Sequence, residues 1–193
     1  MADSFNARDI LQVGTARYEQ RRLALELPVW EPDLCVDCGR CVMVCPHAAI
    51  RMKAEPPEVF TATPGGDALD TKPFRARGLD HNLLTIQVAP DDCTGCAICV
   101  DVCPGHAKDD PAHRALAMVD AEVRRDLERP RWEAFLALPE VPRAALAHDT
   151  VKGAAVLRPL FEFSGACAGC GETPYLRLLS QLFGDRAIIA NAT

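Results

Sequence analysis

The chain has 193 residues, a formal net charge of −6 and 49% hydrophobic residues. This length allows one globular domain, or one domain with part of a second, and the hydrophobic content argues against a wholly disordered chain. The acidic balance argues against nucleic-acid binding. The first thirty residues lack the apolar core of a secretory signal, and no apolar run approaches the length of a membrane span. We therefore expect a cytoplasmic protein without membrane contact.

Ten cysteines are the main compositional feature, and in a reducing cytosol they favour metal ligation over disulfides. A shift of 58 residues aligns the first group of four with the second, and over residues 31–49 ten of nineteen positions are identical. The chain therefore contains an internal repeat. The three groups are Cys35, Cys38, Cys41 and Cys45; Cys93, Cys96, Cys99 and Cys103; and Cys167 and Cys170.

Short strands and a loop are predicted between the two repeats. Residues 48–52 are a candidate strand, and residues 54–78 contain Pro-Pro and Pro-Gly-Gly-Asp turn signals, which predict an inserted surface loop. Leu84, Ile86 and Val88 alternate with polar residues, so a second strand is predicted to lead into Cys93.

A helix is predicted after the second repeat, capped by Asp120, with Val123 and Leu127 on one face. Pro130 is expected to end or kink it. The apolar residues that follow favour a helix packed on its own domain over a surface for a partner; they are Trp132, Phe135, Leu136 and Leu138.

The last forty residues predict a different kind of domain. Thr173 and Pro174 are typical of an N-cap and first helical residue, and Gly184 of a helix end. The predicted buried stripe is Leu176, Leu179 and Leu182 or Phe183, and a strand is predicted over 187–190. A helix followed by one strand indicates the beginning of an α/β domain.

Each repeat contains C-x-x-C-x-x-C-x-x-x-C-P, the spacing that binds a cubane iron–sulfur cluster. The first three cysteines hold one cluster, and the fourth ligates the other cluster in two-cluster proteins. This rule predicts two crossed sets, Cys35, Cys38, Cys41 and Cys103 for one cluster, and Cys93, Cys96, Cys99 and Cys45 for the other.

Zinc is the alternative occupant, but zinc ribbons use two distant C-x-x-C pairs and no third cysteine at the same interval. Cys167 and Cys170 are too few for a cubane, so a redox pair or half of a zinc site remains open beside a cluster. His47 and His106 lie near the fourth cysteines and are expected to be solvated loop histidines rather than donors to sulfur.

The sequence resembles the pyruvate:ferredoxin (flavodoxin) oxidoreductase family over nearly its whole length. The resemblance rests on both cluster motifs and on further segments with high specificity. These are Gly14-Thr-Ala-Arg-Tyr-Glu-Gln-Arg21, Pro28-Val-Trp30, Cys45-Pro-His47, Asp92-Cys-Thr-Gly-Cys96, Leu138-Pro-Glu140, Thr150-Val-Lys-Gly153 and Pro159 to Thr193.

The resemblance implies an α+β fold, with a ferredoxin-like two-cluster [4Fe–4S] domain that carries an inserted loop, followed by an incomplete α/β domain for thiamine diphosphate. The implied divisions are a linker over 1–30, the two-cluster domain over 31–150 and the truncated domain over 151–193. It also implies that Cys167 and Cys170 are two of four ligands of a third cluster, and that Glu172 contacts thiamine diphosphate. The remaining ligands, the Mg-diphosphate site and the substrate site would lie outside this chain.

The function implied by the resemblance is an electron relay. Single electrons would pass from the thiamine site through the two clusters to ferredoxin or flavodoxin during oxidative decarboxylation of pyruvate to acetyl-CoA. The chain alone would lack a complete catalytic site and would work with the remaining domains of the oxidoreductase. The alternative is a free-standing two-cluster ferredoxin-like carrier.

Overall fold

The computed structural model describes residues 15–79, 81–147, 149–163 and 165–188. The strands are β1 (Glu26–Trp30), β2 (Ile50–Glu55), β3 (Lys72–Pro73), β4 (Leu83–Val88) and β5 (Leu116–Asp120). The helices are α1 (Arg40–Val44), α2 (Pro57–Ala62), α3 (Ile98–Asp101), α4 (Ala121–Ala137), α5 (Val151–Val156) and α6 (Thr173–Phe183). Among the helices described, none has the length and apolarity needed to cross a membrane.

The internal repeat appears as two interlocked strand–loop–helix–strand units, β1–α1–β2 and β4–α3–β5. Each sheet takes strands from both units: β1 pairs antiparallel with β5, and β2 pairs antiparallel with β4, whose other edge holds β3. This exchange brings α1 and α3 into contact. Both strands predicted around the insertion are confirmed, with the first beginning at Ile50 instead of residue 48.

The main core lies between the sheets and the two short helices. Its apolar side chains come from alternate positions of β2 and β4, together with Val42, Leu116 and the buried thiols of Cys41 and Cys99. Alternation with a period of two is what a strand needs to place one face against a core. Cys41 and Cys99 are therefore embedded in the hydrophobic core, and Cys35, Cys45, Cys93 and Cys103 pack against it.

The segment between the repeats is more ordered than the surface loop that its turn residues predict. It contains α2, a 3₁₀ turn over Gly66–Ala68 and the edge strand β3. Phe60 and Leu69 from this segment pack with Trp132 and Phe135 of α4 in a second cluster of buried side chains. The loop prediction is thus corrected, because apolar residues between the turns find partners on a distant helix.

Helix α4 confirms its predicted cap, and of the two effects predicted for Pro130, an end or a kink, the structure contradicts the end. The Asp120 carboxylate accepts hydrogen bonds from the backbone N–H groups of Glu122 and Val123. Pro130 lies inside the helix, which continues to Ala137. An internal proline costs about 3 kcal/mol, and the burial of Trp132 and Phe135, whose rings stack at 5.2 Å, offsets this cost.

The apolar face of the first half of α4, which carries Val123 and Leu127, does not meet the core. Val123 and Leu127 are 73% and 56% exposed. Arg125 and Arg129 of this half instead contact Asp91, which precedes the second cysteine group. The predicted packing of the second half on its own domain is confirmed for Trp132, Phe135 and Leu138, whereas Leu136 is exposed.

Helix α5 begins just beyond residue 150, the predicted limit of the two-cluster domain, and packs into the same core. The Thr150 hydroxyl caps it by accepting from the Gly153 N–H. Ala155 and Val156 join the core cluster that holds Cys41 and Cys99. A Cβ added at Gly39 would lie 2.7 Å from the Ala155 Cβ, so the first cysteine loop requires glycine where α5 crosses it.

Helix α6 buries a polar face instead of its predicted apolar stripe, of which Leu176 and Leu182 are half-buried. Its buried residues are polar, namely Thr173, Arg177, Ser180 and Gln181, whereas Leu179 and Phe183 are exposed. The helix cap is Glu172, with Thr173 as the first helical residue. The strand predicted over 187–190 lies partly outside the described residues, since positions 189 and 190 are not among them.

Candidate iron–sulfur centres

The two cysteine loops fold in the same way, residue for residue. Asp37 and Gly39 have positive φ angles of 52° and 72°, and their repeat equivalents Gly95 and Ala97 have φ angles of 69° and 61°. Such alternation turns successive backbone N–H groups toward one point, which is a typical anion-binding arrangement. Asp37 N–H donates to Cys35 Sγ at 3.4 Å, and Gly95 N–H donates to Cys93 Sγ at the same distance.

One cavity, called here the first cavity, lies behind the first cysteine loop. It has about 310 Å³ of space free of protein atoms, and Trp30, Ile86 and Leu116 contribute to its apolar wall. Four cysteines line it, three from the first repeat and one from the second: Cys35, Cys38, Cys41 and Cys103.

A second cavity mirrors the first. It has about 370 Å³ of free space, with Pro28, Ile50, Val88 and Met118 in its wall. Its four cysteines are three from the second repeat and one from the first: Cys45, Cys93, Cys96 and Cys99. The grouping in both cavities is the one that crossed ligation predicts. The exchange of strands and the contact of α1 with α3 explain it, because each fourth cysteine follows the helix that reaches the opposite loop.

Burial makes these thiols poor acids in the absence of a metal. It raises the pKa of Cys93 to about 12 and also raises the pKa values of Cys41, Cys99 and Cys103. Nearby thiols add to the increase, Cys35 and Cys38 for Cys103, and Cys45 with Cys93 and Cys96 for Cys99. Four thiolates in such a cavity require positive charge among them, which ligated iron supplies.

The donor set of each cavity fits a cubane cluster. Four thiolates are its usual ligands, and N–H groups directed at sulfur, with apolar walls, are the surroundings that tune such clusters. Within the part of the chain that is described, no three His, Cys, Asp or Glu side chains form a site for a single metal ion.

The C-terminal cysteine pair forms a site of another kind. Cys167 is exposed and Cys170 is half-buried. Hydrogen bonds from the backbone N–H groups of Thr173 and Glu172 lower the pKa of Cys170, because the first turn of α6 has unpaired donors. Glu172 itself is exposed at the beginning of this helix.

The loop that carries this pair lies against the second cavity. A Cβ added at Gly169 would lie 3.3 Å from Cδ1 of Ile98, which stands between Cys96 and Cys99. Met43, Val44 and Ile98 line a cleft with Gly169 and Cys170. The structure therefore brings the third cysteine group beside one of the two repeat cavities.

His47 was expected to be a solvated loop residue, and this prediction is wrong. Its side chain lines the second cavity and the residue is only 3% exposed. Nε2 donates to the carbonyl of Ala166 at 2.9 Å, and Thr94 Oγ1 lies 3.5 Å from Nδ1. His47 thus joins the second cysteine loop to the segment before Cys167. His106, by contrast, is exposed as expected.

A buried ion pair also holds the C-terminal segment, and sequence reasoning missed it. Glu162 accepts from Arg51 of β2 and from the backbone N–H of Ala16. The Arg51 guanidinium also lies over the Trp132 ring, 5.2 Å from its centroid. A single exposed-looking Glu in a Phe-Glu-Phe segment gives no signal of such a partner, since the pairing joins residues 111 positions apart.

Residues 34–107 match the sequence model of the 4Fe-4S dicluster domain. Together with the two four-cysteine cavities and the mixed helix and strand content, this match defines the chain as one that contains a ferredoxin-like 4Fe-4S dicluster domain. Such a domain holds iron–sulfur clusters.

Comparison with curated proteins gives the particular relatives. The chain is 52% identical over 181 residues to the pyruvate-flavodoxin oxidoreductase of a Nostoc species, covering 93% of this chain and 15% of that protein. It is 45% identical over 182 residues to the probable pyruvate-flavodoxin oxidoreductase of Escherichia coli, with 94% of this chain and 15% of the relative covered. It is 46% identical over 191 residues to the pyruvate:ferredoxin oxidoreductase of Moorella thermoacetica, covering 98% of this chain and 16% of that protein.

The chain is therefore homologous to one segment of the pyruvate-flavodoxin and pyruvate:ferredoxin oxidoreductases. It spans about 15% of the length of the first two relatives.

Proposed function

We propose that this chain is the electron-relay segment of a pyruvate:ferredoxin or pyruvate:flavodoxin oxidoreductase. Its eight repeat cysteines would hold two [4Fe–4S] clusters in crossed sets, Cys35, Cys38, Cys41 and Cys103, and Cys93, Cys96, Cys99 and Cys45. The observation that carries the proposal is the composition of the two cavities, each lined by three cysteines of one repeat and the fourth of the other.

The chain's own residues would set how readily each cluster accepts an electron. The backbone N–H groups of Asp37 and Gly95 donate to cysteine sulfur, and such bonds stabilise added negative charge. The apolar walls exclude water and so lower the dielectric constant around the cluster. This exclusion disfavours the added negative charge. Bound clusters would supply single-electron transfer, and the protein would fix their positions.

The proposed direction of transfer starts at the C-terminal pair. Cys167 and Cys170 would give two ligands of a third cluster, and Glu172 would contact thiamine diphosphate. The proximity of Gly169 to Ile98 supports a route from that site to the second cavity. The remaining domains would bind Mg-diphosphate and pyruvate, so the chain alone would lack a complete catalytic site.

The proposed acceptor is ferredoxin or flavodoxin, and the proposed location is the cytoplasm. The names of the relatives support the acceptors. A reducing compartment agrees with ten cysteines that ligate metal or stay as thiols. An acidic chain, with a net charge of −6, is expected to bind its neighbours through their basic surfaces.

Anaerobic reconstitution tests the two-cluster assignment. The 193-residue chain should bind about eight irons as two cubanes, while Cys167 and Cys170 remain reactive toward iodoacetamide. Iron, acid-labile sulfide and zinc are measured together with site-resolved alkylation. About four irons, or zinc in preference to iron, would contradict the assignment.

A chimera separates the relay from a free-standing carrier. The corresponding segment of the Moorella enzyme is replaced by this chain, and pyruvate-dependent reduction of ferredoxin is measured. The relay predicts that the chimera retains activity and that the same chimera with Cys103→Ala loses it. A chimera with full iron content but no activity would favour the free-standing carrier.

A further inference from the structure

Arg177 occupies an unusual position for a charged residue. It lies on the polar buried face of α6 and is 1% exposed, although α6 is at the end of the chain. Its Nη1 donates to the carbonyl of Val42 at 2.5 Å. Val42 belongs to α1, which contains Cys41 of the first cavity and is followed directly by Cys45 of the second. The guanidinium is thus placed where the two cysteine sets meet.

Two of its three nitrogens have no partner. Nε and Nη2 are buried and make no hydrogen bond among the described residues. Among the described residues no carboxylate forms an ion pair with Arg177. The one hydrogen bond that its side chain makes there is to a neutral backbone carbonyl. A buried charge without a counter-charge is strongly unfavourable, and unmade hydrogen bonds add to that cost. Such an arrangement indicates that a negatively charged group belongs beside the guanidinium.

The nearby titratable groups identify where that negative charge would be. Burial is the main cause that lowers the pKa of Arg177 to about 10, and the neighbouring cation of Arg51 contributes to this lowering. The two groups that act in the opposite direction are the thiols of Cys45 and Cys41. One of these thiols lines each cavity. Negative charge on either cysteine set would therefore compensate Arg177.

We propose that Arg177, held on α1 through the Val42 carbonyl between Cys41 and Cys45, is a shared counter-charge for both clusters and stabilises the reduced form of each. This inference rests on the proposed function, in which these cysteines ligate the two clusters. Arg177 is a positioning and charge-compensating residue and forms no bond to iron. Arginine suits the role because its planar group presents several donors and stays charged when buried.

The electron balance of each reduction is simple. One electron from a one-electron donor, dithionite in the test below, enters one cluster and adds one negative charge, and no covalent bond forms to Arg177. A fixed positive charge nearby lowers the free energy of the more negative state, so it raises the reduction potential. Because Arg177 is close to a thiol of each set, its removal should lower the potentials of both clusters.

A merely structural role makes a different prediction. Gln181 lies on the same buried face and donates to the carbonyl of Leu157 at 2.7 Å. It resembles Arg177 in fixing α6 by one side-chain bond to a backbone carbonyl, but it is neutral. If Arg177 only anchors the helix, replacing either residue should have similar consequences.

Redox titration of the reconstituted chain compares Arg177→Met with Gln181→Met. At a fixed potential, Arg177→Met should reduce the ratio of reduced to oxidised cluster about tenfold at both sites, equivalent to about 59 mV for a one-electron couple. Gln181→Met, and Arg177→Lys with its charge retained, should change the ratio less than threefold. Unchanged potentials in Arg177→Met would overturn the proposal. Equal shifts in Gln181→Met or in Arg177→Lys would overturn it as well.

A second measurement applies if the methionine variant does not bind iron. In chain labelled with ¹⁵N-arginine, reduced clusters should show a weak nitrogen hyperfine coupling that Arg177→Lys removes. A coupling that is absent, or that persists in the lysine variant, would overturn the proposal. If the unaltered chain fails to bind about eight irons, the proposed function fails; normal loading with no effect of Arg177 defeats only this inference.

Discussion

The two cavities share one sequence pattern but are enclosed by different parts of the chain. Lys72 of β3 holds the first cavity's loop by contacting the Cys35 carbonyl and pairing with Asp37 at 2.9 Å. The second cavity borders His47, which binds the segment before Cys167. A repeated motif therefore produces two equivalent ligand sets, whereas the elements around them give one set a neighbour that could deliver electrons. In the proposed function, ligation of the clusters follows the repeat, and the direction of electron transfer follows the asymmetric surroundings.

Replacing the fourth cysteine of either repeat is expected to have the largest effect. Cys45→Ala should remove the cluster of the second cavity, and Cys103→Ala that of the first, each with loss of about four irons. In Cys45→Ala, alkylation should modify Cys93, Cys96 and Cys99 while leaving Cys35, Cys38 and Cys41 protected. The opposite pattern of protection would show that each loop keeps its own fourth cysteine.

Removing one partner of the Arg51–Glu162 pair should act on the C-terminal side alone. Breaking a buried ion pair costs about 3 kcal/mol, which corresponds to a roughly hundredfold larger open population and faster cleavage of the C-terminal segment. Glu162→Gln is therefore expected to expose this segment to protease, with iron content kept. Glu31→Gln, at the exposed pair with His113, is the control and should change cleavage little. Equal cleavage of both variants would argue against the pair as the anchor.

The repeat-equivalent positions 39 and 97 should respond with opposite signs. Gly39→Ala would add a Cβ at a φ of 72° and 2.7 Å from Ala155, destabilising the loaded chain by about 2 kcal/mol. Ala97→Gly would relieve a φ of 61°, with a gain of about 0.5–1 kcal/mol after the entropy cost of glycine. Urea unfolding under anaerobic conditions measures both changes. Two changes of the same sign would mean that the loops are not conformational equivalents.

The smallest expected effect concerns the pH dependence of the C-terminal pair. Because backbone N–H groups lower the pKa of Cys170, its thiolate should persist to lower pH in the folded chain than in urea. Site-resolved iodoacetamide labelling between pH 6 and about 9 should show a lower midpoint for Cys170 when folded. A labelling midpoint of Cys170 that does not change on unfolding would contradict the effect of the α6 N-terminus on its pKa.

Much of the candidate site could be predicted from the sequence, because the spacing of the cysteines is a pattern of residues close together in the chain. The motif predicts the ligand sets, and the alternation of Leu84, Ile86 and Val88 predicts the strand that leads into one of them. Asp120 was recognisable as a cap for the same reason, since the bonds it accepts come from residues two and three positions away.

Helix orientation was the main failure of sequence reasoning. Apolar periodicity predicted that α6 buries Leu176, Leu179 and Leu182 or Phe183. The described structure instead buries Arg177 and Gln181, and leaves Leu179 and Phe183 exposed. Periodicity identifies two faces but does not determine which face meets the core when a buried polar contact competes. Pro130 shows the same limit, since packing of Trp132 and Phe135 from residues further along sustains the helix around it.

The sequence by itself determined the chemistry of the cysteines, because ligand type and spacing are written in consecutive residues. Only the tertiary structure decided which residues surround those cysteines. His47, Glu162 and Arg177 act through contacts with residues more than one hundred positions away. These contacts depend on the pairing of strands between the two repeats and on the packing of the C-terminal residues against them. No local sequence pattern predicts either arrangement.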